Sequence, residues 1–229
     1  MSRIASLVAL LTLVLFLGAA CSDGGGSAAN QLLNPGFEEG AEPWISLAEE
    51  STFEVTADQP HSGASSARLR MDESIDAEGD RVYYLVQEIT PGKFPDVVRG
   101  NYFVENWRRG TAKQYLQFVV IAIGADNNPI ILQADNYQLR YLLAGIDREP
   151  FAIANAQFIH FSQEEPVEGQ WVSFEANVKD DFQRYWGAVP ENFDMIRILF
   201  EVRYDDKVKG DGAPRADVYY DDLYFGSAD

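Results

Sequence analysis

Residues 196–203 read Ile-Arg-Ile-Leu-Phe-Glu-Val-Arg, and in this stretch apolar side chains alternate with mostly polar ones. Successive side chains of a β-strand point to opposite faces of the sheet. The even-numbered residues therefore share one apolar face, and the two arginines and the glutamate share the other. This alternation predicts a strand with one face in a hydrophobic core and one face towards water.

The same period of two recurs along the chain and determines the predicted fold class. It appears at 53–56, 66–71 and 172–178, while residues 116–123 are apolar on both faces, as in a strand at the centre of a sheet. Turn-forming residues separate these stretches at 34–36, 60–63, 91–92, 126–129, 168–169 and 209–212. Short strands separated in this way predict an all-β fold, an antiparallel β-sandwich.

Residues 126–168 interrupt this pattern. Residues 137–143 could form a helical turn, and residues 151–161 could form a strand or a loop. No internal repeat is visible in the sequence. We therefore interpret the segment as an insertion within one sandwich domain that spans residues 31–229.

The first 30 residues resemble the export signal and lipid anchor of a bacterial lipoprotein. Arg3 precedes an apolar stretch at 7–17, and Gly-Ala-Ala leads into Cys21, the only cysteine of the chain. The resemblance implies that residues 1–20 are a signal peptide, that Cys21 is lipidated, and that residues 21–30 form a flexible tether.

Two details qualify this anchor. The large aliphatic residue usually found three positions before the cysteine is here Leu17, four positions before it, so an ordinary secretory signal stays the alternative. Ser22 follows the cysteine, and by resemblance this implies the outer membrane or the cell surface. We expect an exported protein of the cell envelope.

The charge of the chain limits its partners. The sequence contains 18 lysines and arginines against 36 acidic residues, a formal net charge of −18. Such a surface repels nucleic-acid phosphates and anionic lipid headgroups. We therefore expect no nucleic-acid partner and a membrane contact only through the lipid anchor.

Short motifs at both ends of the domain suggest a family. The motifs are Leu-Asn-Pro-Gly-Phe-Glu-Glu-Gly at 33–40, Trp at 44, His-Ser-Gly at 61–63, Pro-Gly-Lys at 91–93, Gly-Gln-Trp at 169–171 and Val-Tyr-Tyr-Asp-Asp-Leu-Tyr-Phe at 218–225. In this order they resemble the carbohydrate-binding modules of the CenC type, families 4, 9 and 22, over residues 32–226. The resemblance implies a jelly-roll sandwich with a galactose-binding-like fold.

Two acidic residues of these motifs are candidate metal ligands. Asp221 shares strand parity with Leu223 and Phe225, so it points inward if they face the core, and a buried carboxylate is costly unless a cation meets it. If the first and last strands meet, Glu38 and the turn at Ser62 would complete an oxygen-only site for Ca²⁺. The resemblance also implies a structural Ca²⁺, and the alternative is that both acids are solvated at strand ends.

The candidates for sugar binding are aromatic rings, which stack on pyranose rings, and planar polar side chains, which pair with hydroxyl groups. They are Phe103, Glu105 and Trp107 on one side of a strand, Arg197, Glu201 and Arg203 on the polar side of 196–203, Gln117 beside them, and Tyr137, Tyr141, Tyr185 and Trp186 as loop aromatics that could wall a cleft. The alternative is an ordinary solvated sheet face with Trp107 in the core.

These observations predict non-catalytic binding of a polysaccharide or oligosaccharide by a lipid-anchored protein of the cell envelope. One alternative is a structural or adhesive sandwich with an envelope protein as partner. A glycoside-acting hydrolase is the other alternative, because paired carboxylates can be found in any chain with this many acids. No Ser-His-Asp arrangement, phosphate-binding loop or HExxH motif is present in the sequence.

Overall fold

The structure is a computed structural model that describes residues 29–47, 53–124, 136–146 and 149–228. The predicted signal peptide, the lipidation site at Cys21 and most of the predicted tether lie outside the described residues. Within the described ranges, no helix is both long enough and apolar enough to cross a membrane.

The described part of the chain forms two β-sheets. Its elements are β1 Phe53–Thr56, β2 Ser66–Asp72, β3 Gly79–Ile89, β4 Val97–Arg108, β5 Gln114–Ile123, β6 Tyr137–Ala144, β7 Phe151–Ile153, β8 Ala156–His160, β9 Trp171–Ala176, α1 Val178–Trp186, β10 Met195–Lys207 and β11 Arg215–Gly226. The five-stranded sheet has the order β1-β2-β11-β4-β9, and the six-stranded sheet has the order β3-β10-β5-β6-β8-β7. The predicted all-β sandwich of the jelly-roll type is confirmed, and β6 and β8 form a parallel pair within it.

The core lies between the two sheets and follows the predicted alternation. Ile196, Ile198, Phe200 and Val202 on β10 are all fully buried in it. Removing a side chain of this size from water stabilises the fold by about 1.5–3 kcal/mol. The central position predicted for the apolar stretch 116–123 is also confirmed, because β5 lies between β10 and β6.

The helix α1 was not predicted, because the alternation at 172–178 suggested one longer strand. β9 ends at Ala176, and the side chain of Asn177 then accepts a hydrogen bond from the N–H of Asp180 and caps the helix. Gly187 ends the helix in the left-handed conformation. An asparagine before two aspartates, followed by a glycine ten residues later, was the available signal for this helix.

Residues 137–143, for which a helical turn was considered, form the strand β6 instead. Its residues Tyr137, Leu139, Tyr141 and Leu143 face the core with a period of two. β7 and β8 pair as a short antiparallel hairpin, and β8 extends the six-stranded sheet beyond β6. Tertiary packing outweighed local preference here, because β6 fills the position next to β5 in the sheet.

The first and last segments of the domain meet, which was the condition for the predicted metal site. The N–H of Gln31 donates to the carbonyl of Phe225 at 2.8 Å, and the N–H of Leu223 donates to the carbonyl of Pro35 at 3.0 Å. The side chain of Asn30 accepts from the N–H of Phe225 and donates to the carbonyl of Leu223. These bonds place the motif at 33–40 beside the C-terminal strand.

Candidate functional site

Three of the predicted ligand-binding residues lie together on the outer face of the six-stranded sheet. Because the even-numbered residues of β10 face the core, Glu201 and Arg203 face away from it. Glu201 is paired in register with Gln117 on β5 and with Tyr84 on β3. We call Gln117, Glu201 and Arg203 the polar centre.

The polar centre is a connected network. The Gln117 amide donates to the Glu201 carboxylate, whose Oε2 lies 3.4 Å from the Arg203 guanidinium. Arg203 also pairs with Asp205 at 2.7 Å, and the Tyr115 hydroxyl donates to the same carboxylate at 2.7 Å. These contacts fix one amide, two carboxylates and one guanidinium against each other.

Electrostatics keep the guanidinium charged in this network. Burial by itself lowers the pKa of Arg203, but the charges of Glu201 and Asp205 and the nearby Tyr115 outweigh it and raise the pKa overall. Burial also raises the pKa of Tyr115, so its hydroxyl stays a hydrogen-bond donor.

One polar atom of the centre has no partner within the described ranges. Gln117 Oε1 is buried and accepts no hydrogen bond. Gln117 is fully buried and Glu201 is 4% exposed, whereas Tyr84 beside them is partly exposed. A buried acceptor without a donor is rare in folded proteins and suggests a missing water or ligand group.

Apolar side chains flank the polar centre on the same face. They form two clusters, one with Val86, Val119 and Leu199 against Tyr84 and Ile121, the other with Tyr115, Leu142, Ile146, Ala156 and Phe158 against Phe151. Phe151 and Phe158 stack with ring centroids 4.1 Å apart. Arg197, the fourth predicted residue on this face, instead forms an ion pair with Glu88 at the margin.

This face does not include Phe103, Glu105 and Trp107. The prediction that they form one binding site with Gln117 and Glu201 is wrong. Their strand β4 belongs to the five-stranded sheet, on the other side of the sandwich. Asn106 has a φ of 56°, and the register of β4 with β11 shifts there.

This β-bulge separates Trp107 from its predicted partners. A bulge inserts one residue and reverses the alternation of faces. Phe103 and Glu105 contact Tyr219 on the outer face, but Trp107 packs against the core and its indole N–H donates to Glu165 at 2.9 Å. Trp107 therefore lies half-buried on the core side of β4, closer to the alternative interpretation than to the predicted binding face.

The predicted loop aromatics do not wall a cleft. Tyr137 and Tyr141 belong to β6 and are buried, and Tyr141 donates to Asp181 of α1 at 2.8 Å. Tyr185 and Trp186 belong to α1 and pack against the core. The physical reason is the unpredicted helix, which covers the core-facing rings of β6 at this point.

Asp221, a predicted metal ligand, is buried and held by backbone N–H groups. Its Oδ2 accepts from His61 at 2.8 Å and from Ser62 at 3.1 Å, and its Oδ1 accepts from Asp222 at 2.7 Å. Burial raises the pKa of Asp221, although these hydrogen bonds lower it and offset part of the effect. These amide donors therefore offset part of the cost of burying the carboxylate, a role that the sequence analysis assigned to a cation.

Asp221 is buried, as predicted, but it does not share a face with Leu223 and Phe225. Tyr220 and Leu223 both pack in the core although they are three positions apart, which requires a bulge between them. The register of β11 with β4 shifts there, and Asp222 has a φ of 49°. Asp221 consequently faces the 61–62 backbone instead of the core.

Glu38 holds the other end of the same turn. Its Oε1 accepts from the N–H groups of Ala64 at 2.8 Å and Ser65 at 2.9 Å. Ser62, the third predicted ligand, contributes its N–H to Asp221, and its hydroxyl donates to Asp222 at 2.6 Å. The two predicted carboxylates thus hold one segment, residues 61–65, which we call the clamped turn.

The oxygen donors at the clamped turn fit a hard cation. Ser66 Oγ is buried with no hydrogen-bond partner within the described ranges, and the next residue, Ala67, pairs with Tyr220 beside Asp221. Carboxylate and hydroxyl oxygens suit Ca²⁺ better than softer metals. Among the described residues no three His, Cys, Asp or Glu side chains form a metal-binding group, so Ca²⁺ would also need carbonyl or water oxygens and stays a prediction.

Sequence reasoning missed three residues of the outer face: Tyr84, Tyr115 and Asp205. Tyr84 and Tyr115 flank the polar centre on β3 and β5, and Asp205 is the second carboxylate of Arg203. The available signal was the alternation of side chains. Asp205 is two positions after Arg203 on β10, and Tyr115 is two positions before Gln117 on β5, so each shares the face of that neighbour.

The fold is similar to those of solved carbohydrate-active proteins. TmCBM61, in complex with β-1,4-galactotriose, is 16% identical with a TM-score of 0.45, over 86% of this chain and 98% of that chain. The N-terminal CBM22-1–CBM22-2 tandem domain of Paenibacillus barcinonensis Xyn10C is 14% identical with a TM-score of 0.49, over 92% of this chain and 52% of that one. The endo-β-1,4-glucuronan lyase of the fungus Trichoderma reesei is 11% identical with a TM-score of 0.49, over 82% and 92%.

These likenesses concern the architecture alone. Binding modules and an enzyme share it, and a shared fold does not determine a shared function. No protein-family model matches the chain, and no curated protein matches it by sequence.

Proposed function

We propose that this protein binds an oligosaccharide or polysaccharide without catalysing its conversion, on the outer face of the six-stranded sheet. The observation that carries the proposal is the polar centre, in which the buried Gln117 Oε1 has no donor among the described residues and lies beside the Glu201 carboxylate and the Arg203 guanidinium. An amide, a carboxylate and a guanidinium each offer two atoms in one plane, which suits pairs of neighbouring hydroxyl groups.

The ring of Tyr84 supports the same assignment. It is partly exposed and lies in register next to Glu201, so a sugar ring stacked on Tyr84 would present its hydroxyl groups to the polar centre. Because Gln117 is fully buried, a sugar hydroxyl reaches its Oε1 only if the side chains around it move. The new hydrogen bond would then remove the cost of an unsatisfied buried polar group, about 1–3 kcal/mol.

Binding is favoured over glycoside hydrolysis by the pairing of the carboxylates. Glu201 and Asp205 both contact Arg203, and each also accepts a hydrogen bond, from Gln117 and Tyr115 respectively. Hydrolysis needs one protonated acid and one free base or nucleophile on either side of the scissile bond. Reducing-sugar release from a polysaccharide panel would contradict the non-catalytic part of the proposal.

Titration calorimetry with β-1,4-galactotriose, xylo-oligosaccharides and cello-oligosaccharides tests the binding. Tyr84→Ala should weaken the affinity about tenfold, which corresponds to about 1.4 kcal/mol. Gln117→Leu keeps the side-chain volume but removes the amide, and should abolish binding while the fold survives. Tyr185→Ala on α1 is the matched control and should leave the affinity unchanged.

Equal affinities for the wild type and for both site variants would show that the sugar does not bind on the outer face of the six-stranded sheet. Retention of an envelope protein, with no glycan bound by the wild type, would favour the alternative of a protein partner.

The proposed location is the outer membrane or the cell surface, through a lipid on Cys21. This rests on the sequence, in which the single cysteine follows an apolar stretch and three small residues. A single acyl chain binds membranes only marginally, so the anchor requires the multiple chains of a lipoprotein. Cys21→Ser should move the protein from the membrane fraction to the soluble fraction, and an unchanged distribution would contradict the anchor.

A further inference from the structure

A pocket opens on the outer face of the five-stranded sheet, on the other side of the sandwich from the polar centre. Its volume is about 430 Å³, within the range of about 300–1,000 Å³ typical of small-ligand sites. Its polar side chains come from three neighbouring strands: Arg99 and Asn101 from β4, Ser173 and Glu175 from β9, and Asp222 from β11.

Strand register brings these side chains into two adjacent pairs. Asn101 lies opposite Ser173, whose hydroxyl donates to the Asn101 amide oxygen at 2.7 Å. Arg99 lies opposite Glu175, with 4.0 Å between guanidinium nitrogen and carboxylate oxygen. The pocket therefore presents an amide, a hydroxyl, a guanidinium and a carboxylate on one surface.

Two of the polar groups are held in place before any ligand arrives. The Arg99 guanidinium lies over the ring of Tyr224, 4.2 Å from its centroid. The Asp222 carboxylate contacts the His61 ring and the Ser62 hydroxyl, each at 2.6 Å. Groups that are already ordered lose little conformational entropy on binding.

The backbone at Asp222 is strained. Its φ of 49° at the bulge of β11 is unfavourable for a residue with a side chain. Strained conformations of this kind are concentrated at binding and catalytic sites. At this position, the bulge directs Asp221 to the clamped turn and leaves Asp222 in the wall of the pocket.

An aromatic ring lies next to the polar groups. Trp171 precedes Ser173 by two positions on β9, so both side chains are on the same face. The Trp171 ring is partly exposed and packs edge-on against His61, with centroids 5.1 Å apart, and against Phe103 at 5.7 Å. An aromatic ring beside planar polar groups is the combination that stacks on a sugar ring and pairs with its hydroxyls.

We propose that this pocket is a second carbohydrate-binding site, for an uncharged sugar unit. One guanidinium against two carboxylates disfavours anionic sugars, and the net charge of −18 acts in the same direction. The ligand class rests on the proposed function, whereas the site does not share residues with the polar centre. Sites on opposite faces of the sandwich let one molecule link two glycan chains, with a gain in avidity.

Nuclear magnetic resonance titration of the full-length protein with β-1,4-galactotriose and with xylo-oligosaccharides tests the second site. The backbone amides of Asn101 and Ser173 report on the pocket, and those of Gln117 and Glu201 report on the polar centre. The double variant Asn101→Ala/Ser173→Ala should weaken binding at the pocket about tenfold and leave the polar-centre titration unchanged. Asn192→Ala, at an exposed asparagine elsewhere, is the matched control.

The outcomes separate the two claims. Shifts confined to the polar centre, with no effect of the double variant, overturn the second site and leave the proposed function intact. Shifts at the pocket that persist in Gln117→Leu, and that need about tenfold more sugar in the double variant, support the second site even if the polar centre binds nothing. No shift at either set of amides, with any sugar of the panel, overturns both.

Discussion

At the scale of single residues, the clamped turn shows how closely backbone and side chain are matched. Gly63 has a φ of 61°, and an added Cβ there would overlap the carboxylate of Glu38. That carboxylate cannot move aside freely, because it accepts the N–H groups of Ala64 and Ser65. Gly63 is therefore required for two reasons, its backbone conformation and the space that Glu38 occupies.

We predict that Gly63→Ala costs more stability than Gly169→Ala. Gly169 also has a positive φ, 76°, but an added Cβ there meets nothing within 4 Å. Both variants incur the backbone penalty of about 1–2 kcal/mol, and only Gly63→Ala also disturbs two hydrogen bonds, at about 0.5–1.5 kcal/mol each. Urea unfolding measures the difference, and equal losses would show that Glu38 does not hold the turn.

At the scale of elements, α1 is joined to the residue before β4, Asp96, by an ion pair and a backbone hydrogen bond. Lys179 Nζ lies 2.8 Å from Asp96 Oδ1, and the Lys179 N–H donates to the Asp96 carbonyl at 3.2 Å. The hydrogen bond from Lys179 is the main cause that lowers the pKa of Asp96. The contribution is modest, because the Lys179 side chain is 47% exposed and solvent screens the pair.

We predict that Lys179→Met lowers the free energy of unfolding by about 0.2–1 kcal/mol at neutral pH. Because the pKa of Asp96 is lower in the folded state than its unfolded value of 3.8, the ion pair stabilises the fold at any pH above 3.8. This stabilisation is lost as the pH falls through the folded-state pKa. The wild type and the variant should therefore converge in acid.

Lys209→Met is the control, because its pair with Asp76 is about 70% exposed on both sides and should contribute nothing measurable. A difference for Lys179→Met that persists at low pH would show that the lysine acts through packing and not through Asp96.

At the scale of the whole molecule, the clamped turn joins three distant parts of the sequence. Glu38 belongs to the N-terminal segment, residues 61–65 lie between β1 and β2, and Asp221 belongs to the last strand. A cation bound here would cross-link the ends of the domain. Such a cation stabilises the fold by mass action, because the unfolded chain does not assemble the site.

We predict that a calcium chelator lowers the melting temperature and that added Ca²⁺ restores it. At a free Ca²⁺ concentration of about 100 times Kd the stabilisation would be about 2.7 kcal/mol. Glu38→Gln should abolish the response to Ca²⁺, whereas Glu175→Gln on the exposed face should retain it. An identical melting temperature with and without chelator would show that Ca²⁺ does not stabilise this protein.

The candidate site was only partly predictable from the sequence. Gln117, Glu201 and Arg203 were assigned to one face because alternation holds along β5 and along residues 195–204 of β10, before the bulge that follows Tyr204. Trp107 and Asp221 were placed on the wrong faces because each follows or adjoins a bulge, at Asn106 and Asp222. A bulge depends on the partner strand and leaves little trace in the local sequence.

The sequence by itself determined the fold class and the core-facing side of β10, the longest strand. Alternating burial has a strict period of two, and local side-chain chemistry is enough to show it. Only the tertiary structure decided which strands share a sheet, and therefore that β4 and β10 present their polar residues on opposite sides of the sandwich. Strand order arises from contacts between residues far apart in the chain, which no local pattern encodes.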